Sequence, residues 1–354
     1  MSSLTNISIT SRKIIRYGIF LILFLMVGRI FLDTGIKIYK KLFPSPPPAP
    51  TVKYGRLSAI PFPENGITAK PTYTLETAEG DLPTNISTQA KVFFMPKTNA
   101  NLLSLDTAKS KAAALGYSAD IQQISDTIYK FKNPNFPTYL QINIVTGTFS
   151  VSYDLVTDSS PIDFRPPVAE VAASGYKSFL MEAGLLPDDL TGSVTHDFLK
   201  ISDGQLKSAM SLSEANFVKV NLFRKNYDEI PAVTGNPNQA NVWAIVSGAR
   251  SDGQEIIASE YHYRSVDESQ YSTYPIKTPA EAFTELQSGQ AFIASYGLNE
   301  DGSNIKIRNV YLAYFDPDAI TEYYQPIYVF EGDNGFTAYL PAITADYYPT
   351  NTQQ

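Results

Sequence analysis

Residues 17–28 read YGIFLILFLMVG, an uncharged and almost wholly apolar run, and no other stretch limits the fold of the chain as strongly. A helix satisfies its own backbone hydrogen bonds, so a run of this kind suits the interior of a bilayer. Arg29 interrupts it, and Ile30, Phe31 and Leu32 resume it before Asp33. A spanning helix needs about 20 residues. Residues 14–36 reach that length when Arg16 and Arg29 send their charges along the helix or into a partner. We expect a membrane-spanning helix at residues 14–38 after a short cytoplasmic tail at residues 1–13. No A-x-A-like site follows the run, which argues for an uncleaved anchor over a signal peptide.

A buried core helix would not lead directly into the prolines of residues 44–50. Proline fixes φ and removes a donor, so this stretch reads as an extended spacer. Ile60-Pro61-Phe62-Pro63 continues the character, and residues 39–63 are expected to form a basic and then proline-rich stalk. Arg12, Lys13 and Arg16 precede the span, while Lys37, Lys40 and Lys41 follow it. With the positive charges balanced, the short tail is expected to stay inside and the large body to cross.

The charge is divided along the chain. Residues 1–50 hold seven cations and one acid, a net of +6, so the whole-chain charge of −7 leaves −13 on residues 51–354. An acidic body repels phosphates, which argues against a nucleic-acid partner. The basic end suits an anionic membrane surface. Absence of cysteine excludes disulfides, thiolate nucleophiles and Cys-based metal sites. The 23 Tyr and 20 Phe against one Trp favour half-buried strands.

Turn pairs recur at Thr146-Gly147, Asp252-Gly253, Asp301-Gly302 and Asn334-Gly335, each between strand-like runs. Helices are expected at residues 104–115, 168–183 and 278–287, stopped by Gly116, Gly184 and Gly289. The third has Thr278 as its cap, Pro279 in the first turn and Glu281 three residues after the cap. Three times a helix is followed by strands and hairpins, the pattern of a helix packed on an antiparallel sheet. The expected fold is α+β: a transmembrane helix, then two or three units of one helix on a mainly antiparallel sheet. Their borders fall at residues 64–160, 161–274 and 275–346, with a tail at 347–354.

The last stretch holds Thr278-Pro-Ala-Glu-Ala-Phe-Thr-Glu-Leu-Gln287, Ile307-Arg-Asn-Val-Tyr-Leu-Ala-Tyr-Phe315 and Gln325-Pro-Ile-Tyr-Val-Phe330. Over residues 275–341 it resembles the carboxyl-terminal pattern of YycH/YycI-type membrane-anchored regulators and, more loosely, PepSY-like domains. The resemblance implies a single-span extracytoplasmic partner that restrains or tunes a membrane sensor kinase. It carries over no catalytic residues.

Catalytic constellations are poorly supplied. His196 beside Asp197 lacks a nucleophile motif, and adjacent side chains diverge, so a turn histidine is expected. His262 shares a strand face with Glu260 and Arg264, which reads as a solvated polar face. Asp316, Asp318 and Glu322 lack calcium-loop rhythm, as do residues 299–304. No phosphate-cradling glycine motif occurs. Neither a cofactor nor a metal site is expected, and no enzyme is called for. Tyr323 and Tyr324, with Glu322 and Gln325, are the expected partner-binding residues, since adjacent rings on extended backbone cannot both point inward. The function this favours is protein–protein binding in the envelope by a membrane-anchored body, with a sensor kinase or envelope complex as target. A carboxylate-dependent envelope hydrolase and a structural surface component are the alternatives.

The anchor has a direct check. Alkaline carbonate should leave the intact chain in the membrane pellet, and detergent should release it; release by alkali or salt alone would refute the span.

Overall fold

The computed structural model describes residues 2–42, 48–99, 101, 103–248 and 254–349. Prolines 44 and 46–47 of the expected stalk, the turn pair Asp252-Gly253 and residues 350–354 of the tail lie outside them. The chain divides into residues 1–49 and 50–354, taken here separately.

The first unit is one helix, α1 (Ser2–Leu42). Its segment Arg16–Tyr39, 24 residues of mean hydropathy 2.1, is long and apolar enough to cross a membrane. At 1.5 Å per residue it extends about 36 Å, somewhat more than a hydrocarbon core of about 30 Å.

The second unit is α+β, and its strands are mostly antiparallel. It opens with β1 (Thr72–Leu75) and β2 (Gln89–Phe94). Helix α2 (Ser104–Ala114) leads to β3 (Ala119–Gln123), β4 (Ile128–Lys132), β5 (Thr138–Asn143) and β6 (Phe149–Tyr153). Helix α3 (Ala169–Glu182) leads to β7 (Val194–Ser202), β8 (Gln205–Ser208) and β9 (Phe217–Leu222). The short β10 (Ala232–Val233), β11 (Val242–Gly248), β12 (Gln254–Tyr261) and β13 (Asp267–Pro275) follow. Helix α4 (Pro279–Gln287) precedes β14 (Phe292–Ser295), β15 (Asn304–Phe315), β16 (Tyr323–Tyr324), β17 (Pro326–Gly332) and β18 (Thr337–Pro341).

Nine strands form one sheet in the order β3-β4-β5-β6-β12-β11-β9-β7-β8 among the described residues. Each half is a helix followed by antiparallel strands, a simple meander in the first half and one with β7 between β8 and β9 in the second, and the final strands of the halves, β6 and β12, pair antiparallel at the centre. The expected border at residue 160 therefore separates two halves of one sheet, because edge pairing of β6 with β12 removes two open edges at once. Strand alternation turns Val218, Val220 and Leu222 to the same face, where Ala112 of α2 and Ala172, Tyr176 and Leu180 of α3 complete the core.

A second sheet runs β1-β15-β17-β18-β14, with β10 also beside β15. Here the two strands that follow the helix are not neighbours. Strand β14 pairs with β18 at the far edge from β15, so Asp301-Gly302 closes no hairpin. Asn334 and Gly335, both at positive φ between β17 and β18, do close one. Strands β13, β2 and β16 make a third, small sheet.

The expected stalk ends earlier than its prolines suggest. Leu57 and Ile60 are buried in the core, and Val52 donates its backbone N–H to the Thr273 carbonyl. Proline permits extended backbone to lie against a sheet as readily as in water, and the apolar Leu57, Ile60 and Phe62 decide between the two.

Local signals placed the helix ends well. Helix α4 has the full capping box, with Thr278 Oγ1 accepting from Glu281 N and the Glu281 carboxylate from Thr278 N. Thr278→Ala should lower unfolding free energy by about 1 kcal/mol, read as a shift of the denaturant midpoint; an unchanged midpoint would show that tertiary packing alone fixes this end.

Candidate interaction surface

The connection after β15 brings the sequence-selected residues Glu322, Tyr323, Tyr324 and Gln325 against β2, where Tyr323 faces Phe94 and Tyr324 faces Phe93. Adjacent residues on a strand diverge. Tyr324 turns inward and is fully buried, its ring stacked 5.1 Å from Tyr314 and tilted against Tyr227 at 5.1 Å. Gln325 is buried as well and donates to the Ser58 carbonyl at 2.9 Å. Neither can meet a partner at the surface, which corrects the expectation for these two. Tyr323 stays half-buried beside the Tyr54 ring, and Glu322 pairs with Lys97.

Behind Tyr324 lies a group the sequence did not mark. The Arg224 guanidinium is buried and donates from Nε to Asp316 at 2.7 Å, from Nη1 to Asp189 and from Nη2 to the Arg264 carbonyl. Its carbon lies 4.4 Å from the Tyr263 ring centre, and Tyr227 donates its hydroxyl to Asp189 at 2.7 Å. Burial pushes the Asp316 carboxyl up, against the opposing pull of Arg224. Asp316 is thus held in a buried ion pair. Asp318 is separate, accepting through its carbonyl from Arg264. An arginine just past an apolar strand, in Phe217–Leu222 followed by Phe223-Arg224, is the signal that could have pointed here.

The histidines stay apart. His196 lies on β7 opposite Val220, a strand position and not the expected turn, because β7 starts two residues earlier. His262 contacts Glu260 at 2.9 Å but lies one residue past the end of β12, and Arg264 turns to the Asp318 carbonyl, so the expected strand face of three residues is not formed. Among the described residues no group of three or more His, Asp or Glu side chains is placed to hold a metal ion.

A concavity lies elsewhere. A groove of about 920 Å³ runs between residues 60–71 and the terminal strand β14. Phe62 stacks on Phe292 at 4.8 Å and fixes one wall. Ile67, Thr68 and Lys70 continue that wall, and Gln290 and Ile293 line the other. Strand β14 pairs with β18 on one side, and among the described residues no strand pairs with its other side. There the Asn65 side-chain amide donates to the Ile293 carbonyl, in the place of a neighbouring strand. An edge strand presents backbone donors and acceptors in a row, ready for another extended chain. Nothing in the four residues of Phe292–Ser295 themselves shows that this strand ends a sheet.

No protein-family description matches the chain, and no curated protein does. Among solved structures, the Bacillus megaterium YpeB C-terminal domain is similar at 15% identity and a TM-score of 0.32, over 70% of this chain and 95% of that chain. A score that low assigns no function.

Substitutions separate core from surface. Tyr324→Ala should destabilise the body by about 3–5 kcal/mol, and Tyr323→Ala by about 1 kcal/mol or less. Tyr324→Phe should be nearly neutral, because the buried hydroxyl has no hydrogen-bond partner among the described residues. Chemical denaturation checks all three, and a large loss in Tyr324→Phe would mean that the hydroxyl is bonded.

Proposed function

We propose that this chain is a membrane-anchored protein of the cell envelope whose extracytoplasmic body works by binding another protein, a sensor kinase or an envelope complex. The apolar segment Arg16–Tyr39 supports the anchor. The observation that carries the binding reading is the unpaired side of β14 opening on a groove of about 920 Å³. The ligand that fits this geometry is an extended segment of the partner. Its backbone would pair with β14, displacing the Asn65 amide, and its alternate side chains would enter the groove beside Phe62 and Ile67. The resemblance of residues 275–341 to membrane-anchored regulators agrees with this reading.

The hydrolase alternative draws no support from the acids singled out for it. Asp316 is occupied by Arg224, Glu322 pairs with Lys97, and Asp318 is exposed.

A photo-crosslinking residue at Gln290, exposed on the groove wall, tests the reading in the full-length chain in cells. The expected result is one dominant adduct whose attachment maps to an extended segment of an envelope protein. A crosslinker at Val156, 98% exposed and outside the groove, should not form it. Ile293→Pro, which removes a backbone donor from β14, should reduce the adduct at least about tenfold while the body stays folded. Equal adducts from both positions, or an adduct indifferent to Ile293→Pro, would overturn the assignment.

A further inference from the structure

Two opposite charges lie inside the apolar helix. Of all windows of about 20 residues that could fill the hydrocarbon core, residues 17–36 carry the fewest charges, and even they include Arg29 and Asp33. Shifting the window toward the N-terminus brings in Arg16, and shifting it the other way brings in Lys37. Arg29 lies seven residues, about 10 Å, from the nearer end of that window, farther than one side chain extends. Asp33 follows one turn later on the same face.

Charges in hydrocarbon demand partners. Both side chains are exposed, and among the described residues neither has an ion-pair partner. A pair within the helix would have the base N-terminal to the acid, the weaker order. We propose that the spanning helix associates with a second copy of itself through this face. The inference rests on the membrane reading above. In a parallel pair related by a two-fold axis, Arg29 of each copy lies against Asp33 of the other, so one surface supplies both members of two ion pairs. The two positions are one turn, about 6 Å, apart along the axis, an offset that the long, flexible Arg29 side chain spans. A different helix would need its own acid and base one turn apart in matching order, whereas the second copy has them already. Ile22, Leu25, Met26 and Ile36 flank the charges along this face and would pack across the same interface.

Energy transfer between two fluorescently labelled populations of the full-length chain in phospholipid vesicles tests this. The wild type should associate. Arg29→Leu and Asp33→Leu should each need at least about tenfold more protein per lipid for the same transfer. Both make the helix more apolar, so failure to insert cannot explain the loss. Arg29→Asp and Asp33→Arg copies should each fail to associate alone, yet restore transfer when mixed. An intrahelical pair, or an unrelated partner helix, gives no such rescue. Wild-type association that the two Leu variants leave unchanged would overturn the proposal, as would a monomeric wild type or a dark mixture. Flotation of the same vesicles separates the two readings. A chain that floats without transfer refutes self-association alone, and a chain that does not float refutes the anchor and the pairing together.

Discussion

The arrangement of the body depends on one buried cation. Arg224 leaves the end of β9, in the nine-stranded sheet, and reaches Asp316 at the end of β15, in the six-stranded one. Asp189 comes from the segment after α3, and the Tyr324 ring comes from the small third sheet. Hydrophobic contacts are non-directional and tolerate sliding. A guanidinium has donors in a fixed fork, and once desolvated it tolerates few geometries. Buried ion pairs add little net stability against an apolar replacement of equal volume, but losing one member leaves the others charged and dry. The network therefore acts as a register mark, setting where three sheets meet. Gly192 is part of the same device: a Cβ there would lie 1.9 Å from the Arg224 carbonyl oxygen.

What the sequence disclosed and what it hid divide along a physical line. Features that depend on a few consecutive residues were legible. The capping box at Thr278, the glycine stops at Gly116, Gly184 and Gly289, and the Asn334-Gly335 hairpin all appear where local chemistry puts them. Alternation also implied that Tyr323 and Tyr324 point to opposite sides, though not which one faces inward. Features that depend on distant partners were not legible. Nothing near Ile60-Pro61-Phe62-Pro63 says that Phe292 waits for it, and a proline-rich segment looks alike whether docked or free. The partner of Asp316 was not legible because Arg224 lies 92 positions away.

The same distinction explains the candidate surface. Strand β14 is short, and its composition suits either edge or interior. Only the order of the sheet reveals that one side is unpaired. The aromatic pair that first drew notice belongs largely to the core. The polar groove beside β14, with no unusual motif, is where backbone groups remain available.

The segment that follows the anchor has a consequence for how the chain acquires its structure. Thr51, Val52 and Lys53 bond to Ser272 and Thr273, Ile60 bonds to Tyr348, and β1 lies along β15 from residue 304 onward. Residues 51–60 are thus held by residues made 219 to 288 positions later. Contacts of such long sequence separation form slowly, since closing the loop precedes any reward from the contact. The nine-stranded sheet can assemble once residue 261 exists, whereas the six-stranded sheet must wait for residue 341. During synthesis, Leu57, Ile60, Phe62 and β1 are apolar segments without their partners, exposed to premature association. Proline in residues 61, 63 and 71 guards this interval, because a segment that cannot donate a regular ladder is a poor template for aggregation.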